Sequence, residues 1–139
     1  MDTPLQPMRV AWAPAFETGH AELDAQHRAL LALCNTLADL CTPDGDNGFG
    51  ETLSQLREQA AAHFSTELAW RRAAGDPNLD DHRADCDEFG FLVDEIATPA
   101  HFDRVELQRF LALWWFGHVA ETAPPQRALQ AAGGAAPAA

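Results

Sequence analysis

Residues 53–67 read Leu53-Ser54-Gln55-Leu56-Arg57-Glu58-Gln59-Ala60-Ala61-Ala62-His63-Phe64-Ser65-Thr66-Glu67. Leu53, Leu56, Ala60 and Phe64 recur at steps of three and four residues, the period of an amphipathic helix with one face turned to a core. His63 and Glu67 share the face of Leu56 and Ala60, so an imidazole and a carboxylate point where apolar side chains are expected. The stretch predicts a helical fold with a polar centre inside it.

Outward from this segment the same period appears three more times. A first helix is predicted over about residues 19–41, with Leu23, Leu30, Cys34 and Leu37 on one stripe and Thr18 as its cap. The helix holding His63 covers about 51–74, and Gly75-Asp76-Pro77 both stops it and starts the next. A third covers about 78–97 with Phe89, Val93 and Ile96 inward. A fourth covers about 102–122 with Leu107, Phe110, Leu111, Trp114 and Trp115 inward, ended by Pro124-Pro125. Tyrosine is absent, and Ala, Leu, Glu and Arg fill the segments between Pro/Gly breaks, which favours helix over strand. The expected fold class is all-α: an antiparallel up-down four-helix bundle with an extended N-terminal arm bearing Val10, Trp12 and Phe16. Residues 1–125 form the bundle domain and 126–139 an Ala/Gly/Pro-rich C-terminal tail.

The formal net charge of −12 repels phosphate backbones and anionic lipid heads, and no basic stripe relieves it, so neither nucleic acid nor membrane is an expected partner. Nothing in the chain identifies a protein partner. No apolar run approaches the ~20 residues that span a bilayer. The start of the chain lacks a basic, apolar leader, so cytoplasmic residence is expected. Cys34, Cys41 and Cys86, an odd set without framework spacing, are expected to be reduced.

The histidines carry the chemistry. His27 lies on the stripe of Leu23 and Leu30, His82 and Cys86 share a face with Phe89, and His118 follows Leu111 and Trp114. In an up-down bundle, at ~1.5 Å rise per residue, His27, His63, Glu67, His82, Cys86 and His118 all fall at one end. His101 falls at the other and reads as a surface residue. One buried histidine is more often a hydrogen-bonded core residue than a ligand. Four helices sending imidazoles, a carboxylate and a thiol to one level favour a shared metal, because each such group left without a partner costs ~1–3 kcal/mol.

Trp12, Phe16-Glu17-Thr18-Gly19-His20, Asp24-Ala25-Gln26-His27, His63-Phe64-Ser65-Thr66-Glu67, Pro77 five before His82 and Trp114 four before His118 together resemble the bacterial hemerythrin family over about residues 10–122. The resemblance implies that the positions of His27 and His63 ligate one iron, those of His82, Cys86 and His118 the other, and that of Glu67 bridges them. Two positions depart from it. Cys86 stands where the second histidine of a His-x-x-x-His pair is expected, and Ala123 where a bridging aspartate is expected. Pro124 biases the backbone of Ala123 away from helix, which predicts a remodelled helix end. Glu121, His20 and Glu22 are candidate replacements for the lost ligand. Asp24 is a candidate for orienting a ligand histidine.

The leading expectation is a non-haem di-iron protein, with an oxo bridge as one form of the centre. It would bind O2, NO or peroxide for storage, delivery or sensing, as a binding protein rather than an enzyme. The alternative is a mononuclear iron or zinc module built on His82, Cys86, His118 and Glu67. A third reading is a redox sensor in which peroxide oxidises Cys86 and Cys34 resolves it.

Overall fold

A computed structural model describes residues 5–42, 47–97 and 102–132. Four helices follow a short 3-10 turn at Pro14–Phe16: α1 (Ala21–Asp39), α2 (Phe49–Ala73), α3 (Leu79–Ala97) and α4 (Arg104–Ala131). No strand forms among the described residues. Helix α1 packs on α2 and α4, and α3 closes the ring against the same two helices. Contacts at the two ends fix the antiparallel order. His27 near the start of α1 meets His63 late in α2, while Gln108 early in α4 donates to the carbonyl of Cys34 late in α1 at 3.0 Å.

The core follows the apolar stripes. Leu30, Leu37, Leu56, Leu107, Leu111, Trp115 and Val119 are fully buried, and Phe64, Ile96, Phe110 and Trp114 pack on them half-buried. Burying side chains of this size contributes ~1.5–3 kcal/mol each, so the stripes explain the assembly of the bundle. No helix among the described residues is long and apolar enough to cross a membrane.

The arm lacks regular structure up to the 3-10 turn, and side-chain amides hold it. Asn35 bonds both the N–H and the carbonyl of Val10, at 2.9 and 2.8 Å, and Gln108 does the same for Met8. Trp12 meets Phe16 edge to face, and the Arg28 guanidinium lies 4.6 Å from the centre of the Trp12 ring.

Two boundaries differ from the sequence expectation. Thr18 is not the cap of α1: His20 is, its Nδ1 accepting from Leu23 N at 3.3 Å. Thr18 instead gives its N–H and hydroxyl to Asp24 Oδ1, at 2.9 and 2.7 Å, pinning the approach to the helix. The second difference is larger. Helix α4 does not stop near residue 122 but runs through Pro124 and Pro125 to Ala131. The prolines have no N–H to offer the carbonyls of Ala120 and Glu121, a local penalty, yet packing outweighs it. Ala123 and Gln126 are fully buried, and Arg127 donates to Glu17 O at 3.1 Å and to Ala15 O. Residues 126–131, expected in a tail, are therefore helix; residues 133–139 lie outside the described residues, as do His101 and Pro99.

Candidate metal centre

Position in the helices sets the site. His27 stands at the second turn of α1, His63 and Glu67 in the last half of α2, His82 in the first turn of α3, and His118 past the middle of α4. The antiparallel order brings them to one level. His27, His63 and Glu67 are fully buried, while His82 and His118 retain 7% and 8% exposure.

Glu67 is the hub. Its Oε2 lies 2.5 Å from His63 Nε2, 3.1 Å from His118 Nε2 and 3.6 Å from His27 Nε2. The imidazoles approach each other by the same atoms, Nε2 to Nε2, at 3.0 Å between His27 and His63 and 3.4 Å between His63 and His118. One ligand atom from each of His27, His63, Glu67 and His118 lies within 4.8 Å of the others. On the other carboxylate oxygen, Oε1, His82 Nε2 comes to 2.5 Å without the alignment of a hydrogen bond, and Arg71 Nε donates at 3.3 Å.

Electrostatics suits a cation. Burial pulls His63 below its ordinary range and His118 down to about 4, so both are neutral with a lone pair to give. Burial opposes ionisation of Glu67, but the attraction and hydrogen bonds of His118, His27 and His63 hold it well below the usual carboxylate range. A negative oxygen among neutral imidazole nitrogens, buried and facing inward, is a donor set of the kind that borderline divalent cations take. His27 Nδ1 has no hydrogen-bond partner, while its Nε2 meets His63 Nε2 at 3.0 Å.

Gln26 escaped the sequence reading. Its Oε1 lies 2.8 Å from His63 Nδ1 and its Nε2 donates to Thr66 Oγ1 at 3.3 Å. Accepting from Nδ1 fixes the tautomer that leaves Nε2 free for a cation. An amide directly before His27 reads in sequence as the solvated edge of a helix, and only the adjacent α2 shows what it accepts from.

The remaining expected residues lie elsewhere. Cys86 is buried but is not among the converging ligand atoms; it lines a cavity of about 170 Å³ between α2 and α3 with Arg57, Ala60, Phe64 and Gly90. Burial and the carboxylates of Glu67, Asp85 and Asp87 push its thiol up to about 12, and burial does the same to Cys34. Ala123 is buried in α4 and offers no ligand atom. Glu121 is exposed on the rim of a cleft of about 320 Å³, with Asp85, Glu88, His82 and His118 also in its wall. Glu22 is exposed, His20 caps α1 with its ring edge-on to Trp70, and Asp24 holds Thr18 rather than a histidine.

The hemerythrin HHE cation binding domain matches residues 18–123. The chain belongs to this family. A bacteriohemerythrin of Ralstonia nicotianae is 32% identical over 114 residues, which cover 79% of this chain and 80% of that protein. No solved structure matches the chain. In this hemerythrin-family chain, the histidines and glutamate of the site fall within the matched segment, and the bundle around them is the frame that the match leads one to expect.

Proposed function

We propose that this chain is a non-haem iron protein that binds O2 or a related small ligand such as NO or peroxide, for storage, delivery or sensing. The observation that carries the reading is the convergence of His27 Nε2, His63 Nε2, His118 Nε2 and a Glu67 oxygen in a buried space. Iron in that space would supply redox-tunable affinity for small diatomic ligands. The chain's own residues set the terms. Gln26 orients His63, while Trp114 stacks on His118 at 5.1 Å and Phe64 and Trp115 meet it edge to face, which fixes the His118 ring. The α3–α4 cleft gives a small molecule a route to His82 and His118. Three imidazoles and one carboxylate also suit a closed mononuclear iron or zinc site, with the four converging side chains giving it a nitrogen and oxygen shell. With both core thiols pushed up to about 12, a thiol-based sensor is the weakest reading.

The test is to load metal-free protein with Fe(II) under anaerobic conditions, count the iron, and follow absorbance through cycles of O2 or NO exposure and removal. Retained iron with a spectrum that changes and returns supports the reading. Retained iron with no response to either gas removes the ligand-binding role, and failure to retain iron while zinc is held tightly replaces it with the zinc module.

A further inference from the structure

Glu67 presents two oxygens, and they face different surroundings. Oε2 faces the three Nε2 atoms of His27, His63 and His118. Oε1 faces His82 Nε2 and the guanidinium of Arg71, one helical turn further along α2, with Arg71 Nε at 3.3 Å. Arg71 is 4% exposed, and its Nη1 donates to Asp76 Oδ2 at 2.5 Å. Asp76 is fixed in turn, because its Oδ1 accepts from Asn78 N at 2.9 Å in the α2–α3 connection. The end of α2 tightens the arrangement: Gly75, at φ +72°, lets Asp76 N reach back to Arg71 O at 3.0 Å. Arg71 is thus a permanently charged group held at a set place against the carboxylate.

The family resemblance would put a second iron on this side of Glu67. The side chains needed to hold it are incomplete: Cys86 lines the α2–α3 cavity, Ala123 has no ligand atom, and His118 Nε2 is committed to the Oε2 side. We propose that Arg71 takes the place of that second cation, neutralising Glu67 Oε1 with a guanidinium, so that the centre holds a single metal ion bound by His27, His63, His118 and Glu67 Oε2. Arg71 is a positioning and number-setting residue: it fixes the carboxylate for one metal and repels another cation from the same oxygen. The inference rests on the metal-binding reading above and goes beyond it in setting the number.

The experiment is a titration of metal-free full-length protein with Co(II), bound metal being counted after equilibrium dialysis. The wild type is expected to take up one tight equivalent. In a Cys86→His/Ala123→Asp background, which restores ligand atoms, the second equivalent should stay weak while Arg71 is present. Adding Arg71→Gln should tighten it by at least ~100-fold, from relief of charge repulsion at a few ångströms, whereas Arg71→Lys should not. If that background fails to fold by circular dichroism, Arg71→Gln against Arg71→Lys in the wild-type chain carries the test, with a tightening of at least ~10-fold expected for Gln alone. Two tight equivalents in the wild type, or equal second-equivalent affinity with Arg71 and with Gln, would overturn the proposal while leaving the metal centre intact. No tight equivalent in the wild type would sink the metal-binding reading itself.

Discussion

Replacing Gln26 by leucine removes the oxygen that faces His63 Nδ1 at 2.8 Å while keeping a side chain of similar size. His63 is fully buried, so water cannot replace the lost acceptor without opening the α1–α2 seam. An unsatisfied buried donor costs ~1–3 kcal/mol, which for a domain of this size lowers the melting temperature by roughly 3–10 °C. The effect on metal is separate and larger in relative terms: removing a group that orients a ligand histidine costs ~10–100-fold in affinity. Gln26→Glu is the counter-variant, since it keeps an acceptor at the same reach and should hold metal at least as tightly as the wild type. Both variants should be compared by calorimetric melting of the metal-free protein and by competition against a chelator for the loaded one. Gln26→Leu with wild-type affinity, alongside a melting temperature lowered as expected, would show that the contact serves packing and not the centre. No change in either quantity would remove the hydrogen bond from the account.

Three further outcomes follow from particular residues. Ending the chain after Thr122 should lower the melting temperature by several degrees, because buried Ala123 and Gln126 and the Arg127 contacts to the arm go with it; an unchanged melt would mean that the helix beyond the prolines adds nothing. The metal-free protein should lose stability as pH falls from about 6.5 toward about 4: His118 is depressed from 6.5 to about 4 in the folded chain, so the unfolded chain takes up more protons in that window and gains up to roughly 3 kcal/mol over the folded one. Denaturant melts across that range check the sign, and flat stability would refute it. Alkylation read by mass spectrometry should find Cys41, half-exposed, reacting first, with Cys86 and Cys34 slow and Cys86 indifferent to bound metal. Protection of Cys86 only in the loaded protein would place its sulfur on the metal.

Much of the fold is written in the spacing of Leu, Phe and Trp, because a helix buried on one face repeats every 3.6 residues whatever its neighbours are. The level at which His27, His63, Glu67, His82 and His118 meet was legible for the same reason: rise per residue and antiparallel order set depth without knowledge of side-chain contacts. What sequence could not show depends on a second helix. Gln26 looks like an ordinary polar residue until α2 supplies His63, whereas Arg71 has both its partners close in sequence, Glu67 one turn back and Asp76 in the α2–α3 connection, and only the fold of that connection shows that it meets both. Cys86 shares the face of His82 in a helical projection, yet it lines the α2–α3 cavity and only His82 reaches Glu67. Pro124-Pro125 misled in the opposite direction. Local chemistry says stop, and the burial of Ala123 and Gln126 against the bundle carries the helix on.

The central claim is that three imidazoles and one carboxylate oxygen hold a metal ion in the interior of the bundle. Anomalous diffraction from crystals of the iron-loaded protein, recorded on either side of the iron absorption edge, tests it most directly. The account predicts one peak per chain, bonded to His27 Nε2, His63 Nε2, His118 Nε2 and a Glu67 oxygen at distances near ~2.0–2.2 Å, with Arg71 still on the other oxygen of Glu67. A peak bonded to Cys86, or one lying among the exposed carboxylates of the α3–α4 cleft with the buried histidines left unligated, would contradict it.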